Sequence, residues 1–334
     1  MTIEGDRSRL DNIQALRALA AMMVVVLHAY GLGMKAGHDV KFLEGADPWG
    51  NAGVDLFFVI SGFIMVHIHR ARLHSPWRFF ANRVARIVPL YWLVTALFAW
   101  AIARGIMSPV DAGPGQPWTS LLFLSQPVSG SDPLLYVGWT LEYEMFFYLC
   151  FAIAIGVAQR TGIDLVFVLC CLVVGSIFLF DVRLIALEFL FGALVARLLP
   201  LRDWTVKTGT VLVLGGIGLL TLSFGQPAAY EHRVVAFGIP ATMMVAGAVI
   251  LPQRAGKVAV LFGDASYSLY LIHLFVLGWL FATTSFESGW VELIVALVAV
   301  QLYALVVHRF VERPLGNFVK WPFRQMTRTR LAPV

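Results

Sequence analysis

Apolar residues run along the chain in blocks of roughly 17 to 23, each long enough to cross a hydrocarbon core of about 30 Å as a helix. Short polar segments, often bearing Gly or Pro, separate them. The pattern predicts ten spans, at 12–32, 52–69, 86–104, 139–158, 164–180, 183–200, 208–225, 233–251, 266–284 and 289–311. Alternating ten-residue segments of the transmembrane β-barrel kind are missing. The expected fold is an all-α polytopic membrane protein of about ten helices, with the lipid bilayer as a partner. The apolar piece TSLLFLSQP, 119–127, is too short to cross. It reads as a re-entrant or interfacial segment inside the longest loop, 105–138. No internal repeat or second soluble domain stands out, so 1–334 reads as one membrane domain with a short tail, 312–334.

Composition agrees with that pattern. Apolar residues make up 59% and charged residues 13%, with mean hydropathy +0.78. Soluble domains carry about 25% charged residues. Cys150, Cys170 and Cys171 all fall in apolar blocks and read as small hydrophobes, not as a disulfide or zinc framework. The net charge of +5 does not point to nucleic acid, because the basic residues sit at span ends. With both termini in the cytoplasm, 20 of the 25 Lys and Arg fall on the inner side, from Arg7 and Arg9 through Arg70 and Arg72 to the tail. Five (Lys35, Lys41, Arg104, Arg183 and Arg233) stay outside. That asymmetry orients the chain by the positive-inside rule.

Polar groups inside spans cost several kcal/mol unless paired or wetted, which makes them functional candidates. In RALAAMMVVVLH, Arg17 and His28 are separated by ten apolar residues. Eleven helical steps carry His28 about 16 Å outward and return it to the face that bears Arg17. A snorkelling arginine and a hydrogen-bonded core histidine are the plain alternative. In GVDLFFVISGFIM, Asp55 lies at the depth of His28. Ser61 and Gly62 lie two turns deeper, where small residues either line a channel or pack helices. GWTLEYEMFFY brings Trp139, Glu142 and Glu144 in from the outer side. Its two carboxylates point about 200° apart, so one faces the site. Glu144 is expected there, beside His28, and Glu142 in interfacial solvent. A carboxylate next to an imidazole fixes its tautomer for general-base work.

On the inner side, Arg83 and Arg86 share a helix face and, with Arg17 and Arg78, form a cationic cluster. Paired guanidiniums suit phosphate oxygens. DASYSLYLIHLF adds Ser268 and Tyr270 as hydroxyl contacts, with His273 slightly deeper, as a ligand contact or a satisfied core histidine. The polar groups thus sort into a cationic inner layer suited to an anion and an outer layer suited to proton transfer.

These stretches resemble the acyltransferase 3 family of integral membrane acyltransferases. RALAAMMVVVLH resembles its Arg-X10-His motif, GVDLFFVISGF its second-helix signature and RVAR its Arg-X-X-Arg motif. WTLEYEMFFY, SYSLYLIH and VERPL resemble its three later motifs, in family order. The resemblance implies about ten helices and transfer of an acyl group, usually acetyl from cytoplasmic acetyl-CoA, to a carbohydrate or cell-envelope acceptor. His28 matches the proposed catalytic histidine, Arg17, Arg83 and Arg86 the arginines for the CoA phosphates, and Glu144 the fourth-span glutamate. The family commonly has Ser where Glu142 stands, so Glu142 inherits no role. No fused esterase domain is expected after the last helix.

The expectation is a bacterial inner-membrane O-acetyltransferase acting on a surface or secreted polysaccharide or its lipid-linked precursor, with acetyl-CoA as donor and no metal. His28 would be the base, oriented by Glu144 or Asp55. Arg17, Arg83, Arg86, Ser268, Tyr270 and His273 would hold the donor, and Ser61, Gly62 and Trp139 would line its channel. A proton-coupled secondary transporter and a succinyl-CoA-dependent enzyme are the alternatives. A homo-oligomer is compatible with the sequence.

Overall fold

The computed structural model describes residues 10–71, 73, 75–106, 116–180, 182–224, 226–284 and 288–319. Arg7, Arg9, Arg72, Lys320, Arg324, Arg328, Arg330 and part of loop 105–138 therefore lie outside the described residues. The described residues form α-helices and shorter helical turns, with no strand. In chain order the α-helices are α1 (Asp11–Ala36), α2 (Asp47–Ala71), α3 (Pro76–Ala103), α4 (Gln116–Leu121), α5 (Trp139–Thr161) and α6 (Leu165–Phe180). They continue as α7 (Leu187–Leu198), α8 (Val206–Leu222), α9 (Ile239–Ile250), α10 (Lys257–Asp264), α11 (Ser266–Thr283) and α12 (Gly289–Val307).

Among the described residues, seven helical stretches are long and apolar enough to cross a membrane. Three more of the ten expected spans appear as shorter apolar helices, at Leu165–Phe180, Val206–Leu222 and Val234–Ile250. The last opens with a π-helical turn, Val234–Gly238, before α9. Pro240 has no N–H to give the carbonyl one turn back, so a regular ladder cannot run through that point. Helix α3 starts earlier than its apolar block because Ser75 caps it and Pro76 occupies the first turn. Arg83 and Arg86 consequently lie inside a helix, not at its mouth. Helix α1 stops where Gly37 takes a left-handed φ of 83°. Helix α10, absent from the apolar pattern, packs along the start of α1, with Gly263 against the carbonyl of Gln14.

Small residues bring the helices together. A Cβ on Gly62 would lie 1.9 Å from the carbonyl oxygen of Phe189, and one on Gly192 would lie 1.9 Å from that of Val59. The seam between α2 and α7 is thus closed backbone to backbone. Gly62 is a packing residue of this seam rather than part of a channel. Gly62→Ala should lower the detergent-solubilised thermal midpoint, because overpacking costs about 1–3 kcal/mol. Gly31→Ala, which meets nothing within 4 Å, should leave the midpoint unchanged or raise it slightly. Equal midpoints for the two variants would remove the close approach of α2 and α7 from the account.

Candidate active site

Helices α1, α2, α3, α5 and α11 surround a cavity with about 760 Å³ of empty space, its open mouth included. Its walls carry Arg17, Arg83 and Arg86 together with Ser61, Glu144 and Tyr148. Three members of the expected cationic cluster are therefore brought together from two helices, whereas the fourth, Arg78, does not line the cavity. Arg17 donates from Nη1 to Gln14 Oε1 at 3.0 Å, one turn back on α1. It lies within electrostatic reach of Arg86, Glu144 and Glu312. The Arg83 guanidinium stands 5.9 Å from the Phe79 ring centre and 6.0 Å from that of Tyr148. These aromatic faces hold the cation without neutralising it.

Glu144 faces this cavity, not His28. Its Oε1 accepts from Ser61 Oγ at 3.0 Å and from the Tyr148 hydroxyl. Tyr148 is four residues along the same helix, so α5 supplies both partners of that bond. Glu312, within electrostatic reach of Arg17 but not on the cavity wall, accepts from Ser268 Oγ at 2.6 Å and from His308 Nδ1 at 2.7 Å. In the sequence Glu312 stands out only as part of VERPL. Two carboxylates among three guanidiniums leave a positive balance. Two buried donors here, Arg83 Nε and Ser266 Oγ, have no hydrogen-bond partner among the described residues. Unpaired buried donors beside excess positive charge fit an anion such as a phosphate.

His28 forms a second centre with His273. The His28 Nδ1 lies 2.9 Å from the Val24 carbonyl oxygen and 3.1 Å from His273 Nε2. The His273 Nδ1 lies 3.2 Å from the Leu269 carbonyl oxygen. A carbonyl can only accept, so both rings carry their proton on Nδ1 when neutral. The His28 Nδ1–H is then shared between Val24 and the lone pair of His273 Nε2. This leaves His28 Nε2 as an unprotonated base. The ring is partly exposed and stands edge-on to Tyr136, with centroids 6.3 Å apart.

Several expected placements change. Asp55 is fully buried and bound by Arg233, at 2.9 Å from Nε and 2.6 Å from Nη2, so it does not orient His28. Depth matched, but Asp55 points to another side of α2. His273 partners His28 instead of lining the cavity, and buried Ser268 is engaged by Glu312. Tyr270 does line the cavity. Trp139 packs edge-on against Tyr143 at 6.0 Å and is not a lining residue. Glu142 is buried, not solvated. It accepts the backbone N–H groups of Ser125 and Gln126, both at 2.9 Å, and so pins the short segment that follows α4. That segment, expected as re-entrant or interfacial, is held in place by this carboxylate. Sequence reasoning missed Tyr148, although its spacing from Glu144 is that of a helix-face pair.

A family model described as an acyltransferase domain, Acyl_transf_3, matches residues 10–309. Exopolysaccharide production protein ExoZ of Rhizobium meliloti (strain 1021) is 32% identical over 292 residues, covering 80% of this chain and 89% of the relative. Protein 2 in picA locus of Rhizobium radiobacter is 30% identical over 155 residues, covering 40% of this chain and 75% of the relative. O-acetyltransferase OatA of Staphylococcus aureus (strain NCTC 8325 / PS 47) is 24% identical over 364 residues, covering 92% of this chain and 57% of the relative. No solved structure gives a significant match. With a family match running through every helix that builds the cavity and the histidine pair, the chain belongs to the acyltransferase 3 family and is an acyltransferase.

Proposed function

We propose that the protein is an inner-membrane O-acetyltransferase, with both termini cytoplasmic, that moves acetyl from acetyl-CoA to a hydroxyl of a secreted or cell-surface polysaccharide or its lipid-linked precursor. The observation that carries this reading is the pairing of an anion pocket with a separate base. Arg17, Arg83 and Arg86 line the pocket beside unpaired buried donors, and His28 presents a free Nε2 on the far side of Tyr270. ExoZ's name concerns exopolysaccharide production and OatA's names an O-acetyltransferase, which supports the acceptor class and the reaction. The CoA phosphates sit on the guanidiniums, and the pantetheine arm runs along α1 toward His28. The acceptor hydroxyl oxygen bonds to the acetyl carbon while its proton passes to His28 Nε2. The carbon–sulfur bond then breaks, and the proton on His28 returns to the leaving CoA thiolate.

The test is acetyl-CoA binding to protein in lipid nanodiscs, by calorimetry. A charge-assisted hydrogen bond is worth about 1.5–3 kcal/mol, so Arg86→Ala and Arg17→Ala should each weaken binding about 10- to 100-fold. Failure of folded wild type to bind acetyl-CoA would overturn the donor assignment.

A further inference from the structure

The cavity and the histidine pair do not meet. The outer wall of the cavity includes Phe57, Thr140 and Tyr270, and neither His28 nor His273 lines it. Tyr270 is buried and touches both compartments. Its ring lines the cavity, packs edge-on to Phe57 with centroids 6.2 Å apart, and lies 6.0 Å from the ring of His273. Its hydroxyl is held twice. It lies 2.7 Å from Thr140 Oγ1 and donates to the Val137 carbonyl at 2.8 Å. Val137 belongs to the turn Tyr136–Gly138, whose Tyr136 ring stands beside His28. Tyr270 is thus a wall residue of the arginine-lined cavity whose ring also meets His273, the partner of His28.

We propose that Tyr270, latched to Thr140 and Val137, is a positioning barrier: it seals the donor pocket from His28, and the thioester reaches Nε2 only when the latch opens. The role of the thioester rests on the acetyltransferase reading; the seal does not. A continuous path lined by arginines on one side and histidines on the other would conduct water and protons through the bilayer. An aromatic ring blocks such a path, and two neutral hydrogen bonds hold it weakly enough to yield to a bound donor. Tyr270 and His273 are three residues apart on one face of α11. Displacing the first therefore moves against the second, and so against the hydrogen bond that orients His28.

The experiment uses full-length protein reconstituted into vesicles loaded with a pH-sensitive dye. A potassium diffusion potential drives proton entry, and CoA release from acetyl-CoA without acceptor is followed in parallel. Wild type should be as tight as protein-free vesicles. Tyr270→Ala should admit protons about tenfold faster. Tyr270→Phe, which keeps the bulk and loses both bonds of the latch, should raise acceptor-independent CoA release several-fold, and Thr140→Val, which loses one of the two, should raise it less. A Tyr270→Ala protein that is folded by gel filtration and no leakier than wild type overturns the seal. Unchanged CoA release in Tyr270→Phe and Thr140→Val, with an active wild type, overturns the latch. A leaking Tyr270→Ala beside a wild type that binds no acetyl-CoA upholds the seal and refutes only the donor.

Discussion

His28→Ala should slow acetyl transfer, and CoA release to water, by about 10²- to 10⁴-fold, the usual contribution of a positioned general base. Acetyl-CoA affinity should stay within a few-fold of wild type, because the cationic pocket lies on the other side of Tyr270. His273→Ala should cost less, about tenfold. In that variant the Val24 carbonyl still takes the His28 Nδ1–H and keeps Nε2 free. What is lost is the second acceptor for that proton, the His273 Nε2 at 3.1 Å, which steadies the ring once Nε2 is protonated. The measurement is single-turnover transfer from labelled acetyl-CoA, with binding followed separately. A His28→Ala rate within threefold of wild type would remove His28 as the base. An equal or larger loss in His273→Ala would reverse the assigned roles within the pair.

The sequence made layers legible and left azimuths open. A rise of 1.5 Å per residue sorts Arg17, Arg83 and Arg86 from His28 by depth, and the structure keeps that sorting. The 200° between Glu142 and Glu144 predicts two different environments. One carboxylate indeed enters the cavity and the other clamps the Ser125 segment. The partner of His28 comes from α11, 245 residues on, and no spacing within α1 can announce it. Depth alone puts Asp55 beside His28, and the packing face of α2 takes it elsewhere. Seven helical steps lead from Asp55 to Gly62, which is 20° short of two full turns. A glycine that seats α2 on α7 therefore already places Asp55 toward that same interface, away from the cavity side that bears Phe57 and Ser61. Glu312 was hidden for a different reason: it follows the last apolar block and reaches the arginines only through the π-helical turn His308–Glu312.

Asp55→Ala should cost about 3–5 kcal/mol of stability, the penalty for leaving a buried charge without its partner, while leaving CoA release per folded molecule near wild type. Asp55 has no exposed surface and Arg233 retains only 19% of its own. Asn51 adds a carbonyl to Arg233 Nη2 at 3.3 Å, so the pair joins α2 to the turn before α9. Glu188 lies beside the pair, fully buried, interacting with both Asp55 and Arg233, and Gly238 packs against it. It can take over part of the neutralisation of Arg233, so Asp55→Ala combined with Glu188→Gln should be less stable than either single variant. Replacing both members of the ion pair, as Asp55→Leu with Arg233→Met, should recover most of the loss, since no isolated charge then remains. Thermal unfolding in detergent gives the stabilities, and CoA release normalised to folded protein gives the activities. Full stability with abolished CoA release in Asp55→Ala would return Asp55 to the catalytic group. Loss of stability with intact turnover makes the Asp55–Arg233 pair the brace that fixes α2, and with it Ser61, against the cavity.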